Sequence, residues 1–342
     1  MIQLGSLIAG SSSGSPGGVA VRQTLGGAEA TLDGGLLVLL LLGVLLAVLL
    51  ALPLALRLAG PAGPEPLERG RVGTALGLAV FVAVAMVVSR SAQGASGLLG
   101  LTVLAYAATA YAATIALIAL TAQLPAPGSG PRGLTAALRS LSLPQLVARA
   151  ALLLWTVGAG WLVVDAFGLR PLGFSPLIVR LTAIHFHYAA FIVPVIAAFL
   201  AAGYPSALTR AAAVVSVLGA PATAVGITAV QFGAPRWVEA LFALPMIAGA
   251  LLVATVHLSL ALGARGATSG WPLRALRLVV GATLLGTMGL AAAYAARGWL
   301  PWAPTIPQMA LWHGIGNAVG VGFCGLLACW LDPACEARPS GA

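Results

Sequence analysis

The sequence predicts an all-α protein, a polytopic integral membrane bundle of about nine transmembrane helices. Hydrophobic residues make up 60% of the chain and charged residues only 7%, whereas soluble domains carry about 25% charged residues. The mean hydropathy is +1.02. Apolar runs of about 20 residues, the length that crosses the hydrocarbon core of a bilayer, recur along the chain.

Nine apolar runs fit this length. They cover approximately residues 34–58, 71–88, 97–122, 145–167, 175–202, 206–231, 238–262, 272–296 and 306–331. A Pro/Gly-rich connector and a short amphipathic piece, residues 134–143, separate the third run from the fourth. We interpret residues 1–33, which are rich in Gly and Ser, as a flexible N-terminal arm. Residues 34–331 then form the transmembrane domain, and residues 332–342 form a short cytoplasmic tail.

The arginines predict the orientation of the chain in the membrane. The formal net charge is +9, and every basic residue except the four histidines is an arginine. Most arginines follow the odd-numbered runs, and short cytoplasmic loops are enriched in positive charge. We therefore expect an outside N-terminus and a cytoplasmic C-terminus. The arginines are scattered between apolar runs, which favours the lipid bilayer as the partner and argues against nucleic acid.

The fifth run keeps a cluster of polar side chains within nine positions: Arg180, Thr182, His185, His187 and Tyr188. Polar groups at this depth are expensive and mark functional sites. Residues seven apart share one stripe of a helix, so Arg180 lies above His187, whereas Thr182, His185 and Tyr188 share another stripe. The two histidines point about 200° apart. We expect them to contact different helices, unless Pro194 or a local π-bulge unwinds the segment.

Two other runs supply candidate partners for this cluster. Asp165 lies at the predicted outer end of the fourth run, and His313 and Asn317 share one face of the ninth. Together with Arg180 and the two histidines of the fifth run, they predict a polar site in the outer half of the membrane. Two alternatives to a functional site stay open. In the first, each histidine serves only to form a hydrogen bond between two helices. In the second, Asp165 serves only as an interfacial partner of Arg170 or Arg180. His257, near the other end of the seventh run, is expected to stand apart.

Two stretches resemble the YndJ-like proteins, which are multi-pass membrane proteins of bacteria. Residues 170–199, RPLGFSPLIVRLTAIHFHYAAFIVPVIAAF, resemble the signature region of that family, and HGIGNAVGVGF resembles its second landmark. The resemblance implies a protein of the bacterial plasma membrane, and it implies no catalytic residue. The positions that match the landmarks are Arg170, Pro171, Thr182, His185, Phe186, His187, Tyr188, His313 and Asn317.

Three functions remain open at this stage. The first is binding and translocation of a small solute or of protons, because the pKa of histidine lies near neutrality. The residues of that site would be Asp165, Arg180, Thr182, His185, His187, Tyr188, His313 and Asn317. The second is an intramembrane metal or haem enzyme, with His185, His187 and His313 as candidate ligands and Asp165 as a ligand or base. The third is a structural or signalling protein whose polar residues specify helix packing. Neither a cofactor nor an oligomeric state follows from the residues.

Overall fold

A computed structural model describes residues 34–59, 73–82, 84–85, 95–123, 139–263 and 270–335. All regular structure in these ranges is helical. We number the helices α1 (Gly34–Ala59), α2 (Gly73–Val82), α3 (Ala95–Gln123), α4 (Leu143–Ala166), α5 (Pro176–Gly203), α6 (Ala207–Gln231), α7 (Arg236–Ala261), α8 (Trp271–Ala295) and α9 (Ile306–Leu331). The predicted arm, residues 1–33, lies outside the described residues, as do residues 134–138 of the amphipathic piece and 336–342 of the tail.

Eight of these helices are long and apolar enough to cross a membrane, which confirms the predicted class of polytopic helical bundle. The predicted second crossing, 71–88, is described only over 73–82 and 84–85. The Arg149 side chain at the start of α4 donates to the Ala59 carbonyl at the end of α1, whereas Leu101 near the start of α3 shares a cleft with Asp165 at the end of α4. The chain therefore passes from one end of the bundle to the other between residues 59 and 101.

Side-chain contacts hold each end of the bundle together. At one end, which we call the Asp165 end, the Arg297 guanidinium pairs with Glu239 at 2.7 Å. At the opposite end, the Asp332 end, the Trp330 indole N–H donates to the Leu50 carbonyl at 3.3 Å, and the Arg57 guanidinium lies 4.3 Å from the centre of the Trp330 ring. Neighbouring helices thus run up and down between two closed ends.

The turn before α5 has an unusual backbone. Residues 171–173 form a short 3₁₀ turn in which Leu172 has a φ of 55° and Gly173 a φ of 73°. The Gln231 amide at the end of α6 donates to the Leu172 carbonyl at 3.3 Å, which fixes the strained residue. Helix α5 then begins with Pro176, which has no N–H to leave unpaired, and with Ser175 as a cap. The turn thereby sets where α5 enters the bundle.

Helix α5 lies at the centre of the bundle, packed against α1, α4, α6 and α9. Three helices widen there to i→i+5 hydrogen bonding, at Ala47–Ala51 of α1, Tyr188–Ile192 of α5 and Met309–Phe323 of α9. The Tyr188 hydroxyl donates to the Leu39 carbonyl of α1 at 3.0 Å. A Cβ at Gly43 would lie 2.7 Å from the Tyr188 ring. Tyr188 therefore needs the glycine to reach α1.

Glycines also bring the outer helices together. A Cβ added at Gly249 of α7 would lie 2.8 Å from the Ser216 nitrogen and 2.9 Å from its Cα on α6. Close packing is also present at Gly316 and Gly320 of α9, since both face threonines of α8. In contrast, a Cβ at Gly286 of α8 would meet nothing within 4 Å.

We expect Gly249→Ala to destabilise the protein by about 1–3 kcal/mol, because the new methyl group meets backbone atoms that cannot rotate away. The control is Gly286→Ala, for which the space is open and alanine is the better helix former. Thermal unfolding in detergent, followed by circular dichroism, measures both. Equal melting temperatures for the two variants would contradict the close α6–α7 contact.

Candidate functional site

The polar residues of α5 divide between two sides of the helix. Arg180 and His187 contact α3 and α4, whereas Tyr188 contacts α1. His185 lies near His313 of α9. Thr182 donates to the Ile178 carbonyl of its own helix at 2.7 Å. The residues thus separate in the two stripes that their spacing predicts, and the π turn begins only after His187.

The Asp165 carboxylate forms a two-pronged ion pair with the Arg180 guanidinium. Nε of Arg180 lies 3.1 Å from Oδ2 and Nη2 lies 3.3 Å from Oδ1. The exposed fractions of the two side chains are only 14% for Arg180 and 9% for Asp165, whereas Arg170 is exposed. Of the two partners considered for Asp165, the structure selects Arg180. Beside this pair lies a cleft of about 580 Å³ between α3 and the end of α4.

His187 is completely buried and hydrogen-bonded through both ring nitrogens. Its Nδ1 lies 2.8 Å from the Ala183 carbonyl, which can only accept, so Nδ1 carries the proton. Nε2 is then an acceptor for the Tyr111 hydroxyl at 3.2 Å. The Tyr111 and His187 rings are nearly parallel, and the Trp155 ring stands edge-on to both. Gly158 of α4 makes room, because a Cβ there would lie 3.2 Å from Nδ1 of His187.

Sequence reasoning missed Tyr111 and Trp155. A signal was present, because tryptophan and tyrosine favour the interfaces of a membrane, and both residues fall in the middle of apolar runs. The Trp155 ring stacks on Phe191 at 4.3 Å between ring centres. Its buried N–H makes no hydrogen bond of normal geometry, although it lies close enough to the Tyr111 hydroxyl to interact with it.

His313 and Asn317 form a closed set of hydrogen bonds with Thr287 of α8. Nδ1 of His313 donates to the Thr287 carbonyl at 2.9 Å, and the Asn317 amide donates to Nε2 at 3.2 Å. The Thr287 hydroxyl donates to Oδ1 of Asn317 at 2.8 Å. No pattern in the sequence distinguishes Thr287 from the threonines that bond to their own helix, so it was not predicted.

His185 completes a pair with His313. Its Nδ1 donates to the Leu181 carbonyl at 2.8 Å, so its basic nitrogen is Nε2. That nitrogen has no hydrogen-bond partner in the part of the chain that the structure describes. The imidazole is near enough to His313 for the two rings to interact electrostatically. The structure thus places two imidazoles, one from α5 and one from α9, near each other within the membrane.

The eight predicted residues therefore do not form one constellation. His185, His313 and Asn317 come together, with Thr287 added, and we call these four residues the histidine pair site. His187 contacts α3 and α4, Asp165 contacts Arg180, and Tyr188 contacts α1. Over the described ranges, no group of three or more His, Cys, Asp or Glu residues is placed to hold a metal ion. A shared metal site of His185, His187 and His313 is thus absent from this part of the chain.

A second buried polar group lies at the Asp332 end. The Arg277 guanidinium of α8, 1% exposed, pairs with the Asp332 carboxylate, 4% exposed. The Tyr204 hydroxyl accepts from Arg277 at 2.8 Å and donates to Asp332 at 2.9 Å. Burial raises the pKa of Tyr204 to about 12, so its proton is present at neutral pH. Sequence reasoning treated Arg277 as a topology signal and Asp332 as tail, and it missed this group.

Comparison with known proteins gives one family. A family model described as YndJ-like protein matches residues 42–321, a range that contains all eight predicted site residues and Thr287. No curated protein and no solved structure matches the chain.

We expect Tyr111→Phe to destabilise the protein by about 1–3 kcal/mol, because it leaves Nε2 of the buried His187 without a donor. Tyr106→Phe is the matched control, since Tyr106 lies on the same helix and is 75% exposed. Thermal unfolding in detergent measures both variants. A Tyr111→Phe protein as stable as the control would mean that the hydroxyl does not hold His187.

Proposed function

The chain belongs to the YndJ-like family of multi-pass membrane proteins, and we propose that it binds protons at the histidine pair site and moves them across the membrane, alone or with a small polar solute. We place it in the bacterial plasma membrane, with the Asp165 end outside and the C-terminus in the cytoplasm. The observation that carries the proposal is that His185 and His313, two imidazoles from separate helices, lie near enough to interact electrostatically, while the Nδ1 atoms of both donate to backbone carbonyls.

Two adjacent imidazoles suit proton binding better than packing. Histidine has an unperturbed pKa of about 6.5, which is the value closest to neutrality among the common side chains. Two close imidazoles repel each other when both are charged, and they titrate as a unit that holds one proton more readily than two. A packing role would need both Nε2 atoms to be satisfied, yet Nε2 of His185 has no partner among the described residues.

Asn317 and Thr287 let His313 change its protonation without losing hydrogen bonds. In the neutral ring, Nε2 accepts from the Asn317 amide and the Thr287 hydroxyl donates to the amide oxygen. Once Nε2 carries a proton, it becomes a donor. The amide then turns over, so that its oxygen accepts from His313 and its nitrogen donates to the Thr287 oxygen. The Thr287 hydroxyl is left to donate to the Leu284 carbonyl, now 3.5 Å away.

The backbone of α9 supports such a rearrangement. Both His313 and Asn317 lie in the i→i+5 segment Met309–Phe323, and π-helical turns are frequent at functional sites. Such a segment has an alternative in the ordinary α-helical register, which would move its side chains relative to α8. We place the Asp165–Arg180 pair, which joins α4 to α5, at the outer end of the proposed proton path.

Proton flux into liposomes tests the proposal. In vesicles with a pH-sensitive dye inside and an imposed potential, we expect the wild-type protein to pass protons, and His185→Gln and His313→Gln to lose about 90% or more of the rate, because glutamine does not titrate. His187→Gln is the matched control, since its Nε2 faces Tyr111 on the other side of α5. It should keep the flux.

Melting temperatures of the same proteins separate function from packing. If the protein is purely structural, the wild-type protein passes no protons, and all three glutamine variants lose stability. Wild-type protein without flux, or full flux in both His185→Gln and His313→Gln, would end the proposal. Metal analysis of the purified protein checks the enzyme alternative, which needs a metal ion bound to the imidazoles of His185 and His313.

A further inference from the structure

The buried group at the Asp332 end resembles an occupied ligand site more than a surface salt bridge. We propose that Arg277, Tyr204 and His257 form a binding site for a small carboxylate anion, and that the side chain of Asp332 fills this site in the resting protein. The site lies at the opposite end of α5 from Arg180, and the inference does not depend on proton transport.

The donors of this site are arranged around a carboxylate. Nη2 of Arg277 donates to Oδ2 of Asp332, and the Tyr204 hydroxyl lies 2.9 Å and 3.1 Å from the two carboxylate oxygens. Arginine is the residue that best matches carboxylate geometry, and its charge makes each hydrogen bond stronger. A guanidinium that is 1% exposed has to keep an anion beside it, because an unpaired buried charge costs several kcal/mol.

The carboxylate of Asp332 belongs to a short segment beyond the last membrane-spanning helix. Asp332 follows the last residue of α9 and precedes a single 3₁₀ turn, Pro333–Cys335. Within that turn the Ala334 N–H donates to Oδ1 of Asp332 at 3.1 Å, and the Cys335 thiol lies 3.7 Å from the Phe199 carbonyl. Displacement of the turn has to separate Ala334 from Gly203 and to expose the buried Cys335, but it unwinds no membrane-spanning helix.

His257 is a hydrogen-bonding group that Asp332 does not use. The ring is 1% exposed, and neither of its nitrogens has a hydrogen-bond partner in the described structure. It lies near enough to Arg277 to interact with it electrostatically. An unmade hydrogen bond of a buried group costs about 1–3 kcal/mol. A free carboxylate is not tethered to α9, so it can sit deeper than Asp332 and accept from the His257 N–H as well as from Arg277.

An open hollow lies next to the site. It has a volume of about 460 Å³ and is lined by Gly203, Tyr204, Pro205 and Ser206, the turn between α5 and α6. Tyr204 is common to both, because its hydroxyl contacts Arg277 and Asp332. This hollow is the proposed entry for a small anion.

Maleimide labelling of Cys335 measures how readily the turn Pro333–Cys335 moves away from the bundle and exposes the thiol. In a protein with Cys324→Ala and Cys329→Ser, Cys335 is the one cysteine that remains, and it is 3% exposed. We expect acetate to speed maleimide labelling severalfold over chloride at equal ionic strength and pH, because acetate displaces Asp332. Asp332→Asn is the positive control and should label fast in both salts. His257→Leu should label slowly in both. Equal rates in acetate and chloride would overturn the proposal.

Thermal unfolding gives a second measurement that involves no labelling. Asp332→Ala removes the carboxylate beside Arg277 and should lower the melting temperature, and acetate should restore part of the loss. The matched control is Asp165→Ala at the Asp165–Arg180 pair. Acetate should restore less there, because the unpartnered nitrogens of His257 belong to the Asp332 end. Equal effects of acetate on both variants would assign it to general pairing with arginine and contradict a built site. Neither measurement uses proton flux, so each proposal can fail without the other.

Discussion

A polar group inside a bilayer has to find its partner within the protein, because hydrocarbon offers none. In this bundle that constraint decides which helices are neighbours. Asp165 and Arg180 join α4 to α5, Tyr111 and His187 join α3 to α5, and three residues at the histidine pair site join α8 to α9. The apolar surfaces of these helices are nearly interchangeable, since leucine packs as well against lipid as against leucine. The few hydrogen bonds therefore specify the arrangement, and α5, at the centre, has such bonds to α1, α3 and α4.

Buried polar groups that find no partner within the protein indicate where it binds a ligand or a proton. Buried side-chain nitrogens without a partner occur, over the described chain, only at Trp155 and His257. Trp155 is explained by packing, because its ring stacks on Phe191 and stands edge-on to the Tyr111 ring. His257 has no such explanation, and Nε2 of His185 is unpartnered as well. Proteins usually violate local rules where they work, so we assign His257 to ligand binding and His185, together with the neighbouring His313, to proton binding.

The fold class and the two sides of α5 could be predicted from the sequence because they depend on length, composition and period. The crossing predicted at 175–202 is Pro176–Gly203 in the structure. The partners could not be predicted in the same way. A period of 3.6 residues tells that His185 and His187 point apart, but not which helix lies on either side. Arginine counting cannot distinguish Arg277, which faces a buried carboxylate, from an arginine at lipid headgroups. Thr287 could not be predicted either, because only the packing of α8 against α9 places it beside His313 and Asn317.

The two proposed sites have the same physical form, a charge or proton held between helices by groups that have a second arrangement. At the histidine pair site the second arrangement is the turned amide of Asn317, and at the Asp332 end it is a free anion in place of a tethered one. Tyr204, directly after α5, follows His185 by 19 positions, which corresponds to about 28 Å of helix. Direct electrostatic coupling over this distance is weak. A link between the sites would have to pass through movement of α9, which carries His313 near one end and Asp332 directly after the other.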